Sequence, residues 1–168
     1  IDGNESIVTT GQNTSSNLIS FDFSGNDTGG VGIDHLECSL DGTSFSACTS
    51  PVQFTSANLL DGTHSFMVIA QDKVGNIMTT PVLFNWTVDT LPPTTAINTA
   101  IDGNNGTLVS GNSTMSTSMS FTFSGNDRGL ENNGVGIKQI ECSIDNSNFT
   151  ACVSPIEYSN LTEGVHRL

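Results

Sequence analysis

The chain repeats itself. Residues 1–27, IDGNESIVTTGQNTSSNLISFDFSGND, return as residues 101–127, IDGNNGTLVSGNSTMSTSMSFTFSGND, with 14 of the 27 positions identical. After an insertion of four residues in the second copy, VGIDHLECSLDGTSFSACTSPVQF at 31–54 matches VGIKQIECSIDNSNFTACVSPIEY at 135–158. A period near one hundred residues constrains the fold more than any single residue does, because each copy has to bury its own core. Two small domains in tandem are expected: 1–90, a Pro-rich linker at 91–93, and 94–168. The first copy carries a tail, SFMVIAQDKVGNIMTTPVLFNWTVDT at 65–90, of which the second has only the beginning, since Leu168 aligns with Phe66. The second copy is preceded by PPTTAI, for which the first has no counterpart. The expectation is an excerpt from a longer array, with a first repeat lacking its first strand and a second lacking its last strands.

Four Lys and Arg stand against seventeen Asp and Glu, a formal net charge of −13. Nucleic acid and anionic lipid require the opposite sign, so neither is expected as a partner. An acidic shell attracts cations and keeps neighbouring copies soluble. No apolar run is long enough to span a bilayer, so no membrane insertion is expected within this segment. Gly, Ser, Thr, Asn and Asp dominate between short alternating stretches, the texture of an all-β domain with many turns. Ile19, Phe21 and Phe23 share one face, as do Met119, Phe121 and Phe123. Inward faces are expected for Leu36, Cys38 and Leu40, for Phe66, Val68 and Ala70, and for Val82, Phe84, Trp86 and Val88. About seven such strands per copy suggest tandem immunoglobulin-like β-sandwiches.

Each copy holds one cysteine pair, Cys38 with Cys48 and Cys142 with Cys152, around a turn signal at Asp41–Gly42 or Asp145–Asn146. If Asp41 faces Phe45 across a three-residue loop, Cys38 falls directly opposite Cys48, and Cys142 opposite Cys152. Two disulfides, each inside its own repeat, are expected. Zinc would want four ligands, and a redox pair more often shows Cys-x-x-Cys spacing. Disulfides imply an extracellular or cell-surface setting. Asn-x-Ser/Thr acceptors for glycosylation occur at Asn4, Asn13, Asn26, Asn85, Asn105, Asn112, Asn148 and Asn160. Strand alternation turns Asn85 outward, between Phe84 and Trp86.

The strings ECSLDG, LLDGTHSF, AQDKVGN and NWTVDT resemble the immunoglobulin-like repeats found in tandem in large bacterial and archaeal surface proteins. The Asn/Ser/Thr-rich, Lys-poor character is most similar to archaeal surface-layer glycoproteins. The resemblance implies a structural extracellular module, a spacer or lattice-forming domain of a surface layer, whose partners are neighbouring repeats and other copies in an assembly. A stalk of an adhesin and accessory repeats of a secreted enzyme are the alternatives. It departs from antibody domains in placing its one tryptophan, Trp86, in the last strand.

No catalytic pattern recurs. His64 and His166 occupy equivalent positions after a Gly turn, which suggests hydrogen bonding at the start of a strand rather than catalysis. In such a sandwich the inter-repeat linker enters at the pole holding Asn26 and Asp27, which would bring Asp89 near Asn126 and Asp127, with Glu131, Asn132 and Asn133 alongside. Clustered carboxylate and amide oxygens suit calcium. The same residue types also form tight turns routinely, so two readings of this cluster stand.

Overall fold

The computed structural model describes residues 1–127 and 136–168. The described residues form strands and turns and contain no helix, and thus no helix long and apolar enough to cross a membrane. The chain divides into two compact units, one comprising Ile1–Leu91 and the other running on from Pro92.

Unit 1 contains β1 (Asn13–Thr14), β2 (Ile19–Phe21), β3 (Ile33–Leu40), β4 (Ser46–Cys48), β5 (Val52–Phe54), β6 (Gly62–Asp72) and β7 (Val82–Val88). One sheet has the order β1-β7-β6-β3-β4, and β2 pairs with β5 in a second sheet. The antiparallel ladder of β3 with β6 sets Leu40 against Phe66, Cys38 against Val68 and Leu36 against Ala70. That of β6 with β7 sets His64 against Trp86 and Phe66 against Phe84. β1 joins the other edge of β7 in parallel, Asn13 with Thr87 and Thr14 with Val88.

Alternation turns one side of each sheet inward, and the two inner faces meet in a core of Ile19, Cys38, Leu59, Phe66, Trp86 and Val88. Phe21 of β2 stacks on Phe66 of β6 at 4.5 Å between ring centroids and lies 5.3 Å from the Trp86 rings. Contacts of this kind contribute about 0.5–1.5 kcal/mol each beyond the apolar area they bury. The Trp86 indole Nε1, buried with them, has no hydrogen-bond partner among the described residues.

The expected inward face of β7 gives out at one end: Val82 is 62% exposed. The reason is length. β2 and β5 have three residues each and β6 has eleven, which correspond to about 10 Å and about 36 Å of strand. The facing layer cannot cover the far end of the longer one.

Unit 2 contains β8 (Thr94–Asp102), β9 (Met119–Asn126), β10 (Ile140–Cys142), β11 (Thr150–Cys152) and β12 (Ile156–Tyr158). Its sheets are β12-β9-β8 and β10-β11. The expected strand at TTAI is the first part of β8, which continues through Asp102 with an irregularity between Ile97 and Thr99. Among the described residues of unit 2, Phe123 is the buried hydrophobic one, and Phe121 meets Tyr158 edge to face at 6.2 Å.

Trp86→Ala is expected to destabilise unit 1 by about 3–5 kcal/mol, whereas Val82→Ala changes stability by less than about 0.5 kcal/mol. Denaturant titration followed by far-ultraviolet circular dichroism measures both.

Candidate functional site

The chemistry-bearing side chains gather around turns, and the same groups recur in both units. Cys38 is bonded to Cys48 and Cys142 to Cys152, with Cα atoms 5.8 Å apart in each pair, and no cysteine is free. The pairing is the expected one, but the register is not. Cys38 lies opposite Ser46, and Cys48 opposite Leu36. In unit 2, Cys142 lies opposite Thr150, and Cys152 opposite Ile140. Each bond therefore runs diagonally across its hairpin, along a diagonal that strand twist shortens.

The cause is the turn. Asp41 and Gly42 have φ of 50° and 72°, and Asp145 and Asn146 have 51° and 62°. Two consecutive left-handed residues make a two-residue loop, tighter than the three-residue loop the sequence suggested. It is closed by the Thr43 N–H donating to the Leu40 carbonyl at 3.0 Å, and in unit 2 by Ser147 donating to Ile144 at 2.9 Å. The turn sets Leu40 against Thr43, and one extra residue before the ladder sets Cys38 against Ser46, two residues short of Cys48.

The turn aspartates do further work. The Ser65 N–H donates to Asp41 Oδ1 at 2.7 Å, and His64 Nδ1 lies 2.8 Å from Asp41 Oδ2. His64 Nε2 lies 2.7 Å from the Leu60 carbonyl oxygen. In unit 2 the Arg167 N–H donates to Asp145 Oδ1 at 2.9 Å, while His166 stands between Asp145 Oδ2 and the Thr162 carbonyl, 2.7 Å from each. The repeated histidine thus ties the hairpin turn to the segment that starts β6, as its position after a Gly turn suggested.

A neutral imidazole offers one donor and one acceptor, and only the imidazolium donates at both nitrogens. Hydrogen bonding to Asp145, and next to the Thr162 carbonyl, accordingly raises the His166 pKa above its ordinary value. The His166 ring, followed by the Arg167 N–H, lowers that of Asp145.

A second clamp closes the loop after each IDGN motif. The Thr14 hydroxyl donates to Asp2 Oδ2 at 2.5 Å, and the N–H groups of Asn4 and Ser6 donate to Asp2 Oδ1. Thr114, Asn104 and Gly106 do the same for Asp102. Burial pushes the Asp2 carboxyl up, but the Thr14, Ser6 and Asn4 hydrogen bonds together outweigh it and hold it below its usual value. Asp102 is likewise lowered, chiefly by Thr114. Sequence reasoning passed over these carboxylates. Their signal was the identity of Asp2 with Asp102 and of Thr14 with Thr114 across the duplication.

The calcium candidates fall differently. Asp127 Oδ2 accepts the Gly136 N–H at 2.7 Å, as Asp27 Oδ2 accepts that of Gly32 at 2.9 Å, so both carboxylates close their own loops. Asp89 follows β7 in unit 1, and its N–H donates to the Thr14 carbonyl. Asn126 ends β9 in unit 2. Glu131, with Asn132 and Asn133, lies outside the described residues. Among the described residues there is no group of three or more His, Cys, Asp and Glu side chains able to hold a metal. Of the glycosylation candidates, Asn4, Asn13, Asn26, Asn105, Asn112, Asn148 and Asn160 are exposed. Asn26 Oδ1 accepts the hydroxyl of Thr28, the third residue of its own acceptor triplet, at 3.0 Å. Asn85 is half-buried within β7, between β1 and β6.

Searches of protein-family models, of curated proteins and of solved structures find no match to this chain.

Removing the first staple as Cys38→Ala/Cys48→Ala is expected to cost unit 1 about 2–3 kcal/mol, the loop-closure entropy of a ten-residue separation. Denaturation followed by the fluorescence of Trp86 reads this directly, since no other tryptophan is present. The His166–Asp145 clip gives unit 2 a pH dependence. Because the histidine pKa is raised, its contribution is complete below 6.5 and fades as pH rises through the folded value. Because the aspartate pKa is lowered, its contribution is complete above 3.8 and fades as pH falls through the folded value. The difference in stability between the parent chain and His166→Ala should be largest between those two pH values and shrink toward pH 9, as read by the emission of Tyr158.

Proposed function

We propose that this chain is a pair of immunoglobulin-like structural modules, spacer or lattice-forming domains of a large prokaryotic cell-surface protein of the surface-layer type. The observation that carries this reading is the duplication of the polar chemistry itself. The Asp2, Asp27 and Asp41 clamps, the His64 tie and the Cys38–Cys48 disulfide of one unit have their counterparts in the other, and each closes a turn or tethers a strand. Residues kept in the same fold-holding roles in successive units belong to a repeating building element. The parallel pairing of β1 with β7 and the two-layer core support the immunoglobulin-like description. Two disulfides favour an oxidising, extracellular compartment. A net charge of −13 suits a molecule that meets cations and further copies of itself.

The test is topological. Antibodies raised against the folded, oxidised chain should label intact source cells, and protease applied outside those cells should release fragments carrying its sequence. Isolated envelopes should show the same antigen in a periodic layer. Labelling that requires permeabilised cells would overturn the surface assignment. Surface labelling without a periodic layer would leave a stalk or spacer in place of a lattice element.

A further inference from the structure

We propose that Asn105 is a site of spontaneous modification, deamidation through a cyclic imide, which the Asp102 clamp holds closed. Among the described residues, Asn105-Gly106 is the one place where Asn precedes Gly. Glycine has no Cβ to obstruct its own nitrogen, so in an open chain the Gly106 nitrogen readily reaches the Asn105 side-chain amide. The reaction is a substitution at Asn105 Cγ. The bond from Gly106 N to Cγ forms and the bond from Cγ to the side-chain nitrogen breaks. That nitrogen leaves as ammonia, taking up through solvent the proton that Gly106 loses. Water then opens the imide at either carbonyl, giving aspartate or isoaspartate.

In the folded turn the attacking atom is occupied. The Gly106 N–H donates to Asp102 Oδ1 at 2.7 Å, and the Asn105 N–H donates to the Asp102 carbonyl at 2.9 Å. The Thr114 hydroxyl donates to the other carboxylate oxygen and fixes its direction. Attack requires Gly106 to give up its proton and to turn its nitrogen toward Asn105. A carboxylate at that N–H opposes both, since a neighbouring negative charge disfavours a second one. The Thr114 and Gly106 hydrogen bonds lower the carboxyl's pKa and so keep it charged. Burial offers no protection here, because Asn105 is exposed. The reactive pair belongs to this copy of the turn. Asn105 has φ of 64° and its counterpart Glu5 has 61°, a region that Asn enters more readily than most residues. Unit 1 places Glu5-Ser6 there, with the Ser6 N–H on Asp2 Oδ1, and builds the same clamp without the Asn-Gly chemistry. In unit 2 the reaction is one-way. Isoaspartate lengthens the main chain between residues 105 and 106 by a methylene, which carries the Gly106 N–H off its acceptor, and either product sets a new carboxylate near Asp102.

This chemistry is independent of where the protein is displayed, so its failure would leave the surface assignment untouched. The experiment incubates the intact oxidised chain and a free peptide of residues 100–110 at mildly alkaline pH. Aspartate and isoaspartate at residue 105 are followed by mass spectrometry of proteolytic fragments. Asn105 in the folded chain is expected to react at least about tenfold more slowly than in the peptide, the factor that one hydrogen bond to a charged group supplies. Asp102→Ala, with unit 2 shown to be folded by Tyr158 emission, should recover most of that factor while Asn146 reacts no faster than in the parent. Equal rates in parent chain and peptide would overturn the proposal. So would a folded Asp102→Ala that matches the parent, and one slower than the parent would make the carboxylate a base instead of a guard. Where Asp102→Ala does not fold, or speeds Asn146 as well, amide exchange on the parent chain decides. The Gly106 N–H should exchange at least about tenfold more slowly than in the peptide, and exchange at the peptide's rate would overturn the proposal.

Discussion

The packing of Phe21 against Phe66, Phe84 and Trp86 holds the first unit together in the direction where no backbone bond can. Each sheet is internally hydrogen-bonded, but β2 and β5 form their own sheet and share no ladder with β6 and β7. What joins the layers is the exclusion of water from large rings. The strands can therefore be short, because three residues suffice when the last one, Phe21 in β2 and Phe54 in β5, supplies an aromatic wedge.

Around that wedge the polar residues solve a different problem. A small domain with many turns exposes many backbone N–H groups, and each needs a partner. Asp2, Asp27, Asp41 and Asp72 each collect one or more such donors. In unit 2, Asp102, Asp127 and Asp145 do the same. A large part of the acidic character that dominates the composition is thus turn architecture. The charge visible at a distance and the hydrogen bonding inside the loops come from the same carboxylates.

The duplication, the all-β character and the identity of the disulfide partners were legible in the sequence, because periodicity and pairwise recurrence survive without coordinates. Register was not. Whether Asp41–Gly42 closes a two-residue or a three-residue loop depends on φ at both residues, and a one-residue difference moves every facing pair. The inward alternation of β7 held at Phe84, Trp86 and Val88 and failed at Val82, since alternation describes a strand and not how far the opposite layer reaches. The role of His64 was partly accessible, since histidine recurrence suggested a strand-start contact, whereas the recurrence of Asp2 as Asp102 was not singled out. The hydrogen bond that the Asp127 carboxylate accepts from the Gly136 N–H is a contact that its place in an Asn-Asp pair did not announce.

The parallel alignment of β1 with β7 has a mechanical meaning. Residues 11–14 and 85–89 are cross-linked by successive main-chain bonds, among them Gly11 to Asn85, Thr87 to Gln12 and Asp89 to Thr14. When tension pulls the segment before β1 and the segment after β7 apart, parallel strands slide along one another, so these bonds resist as a group instead of opening like a zipper. The disulfide stands outside this line of force. Closing a loop of ten residues, it withholds only about 33–36 Å of contour length, and the remainder of the unit stays extensible once the shear bonds yield.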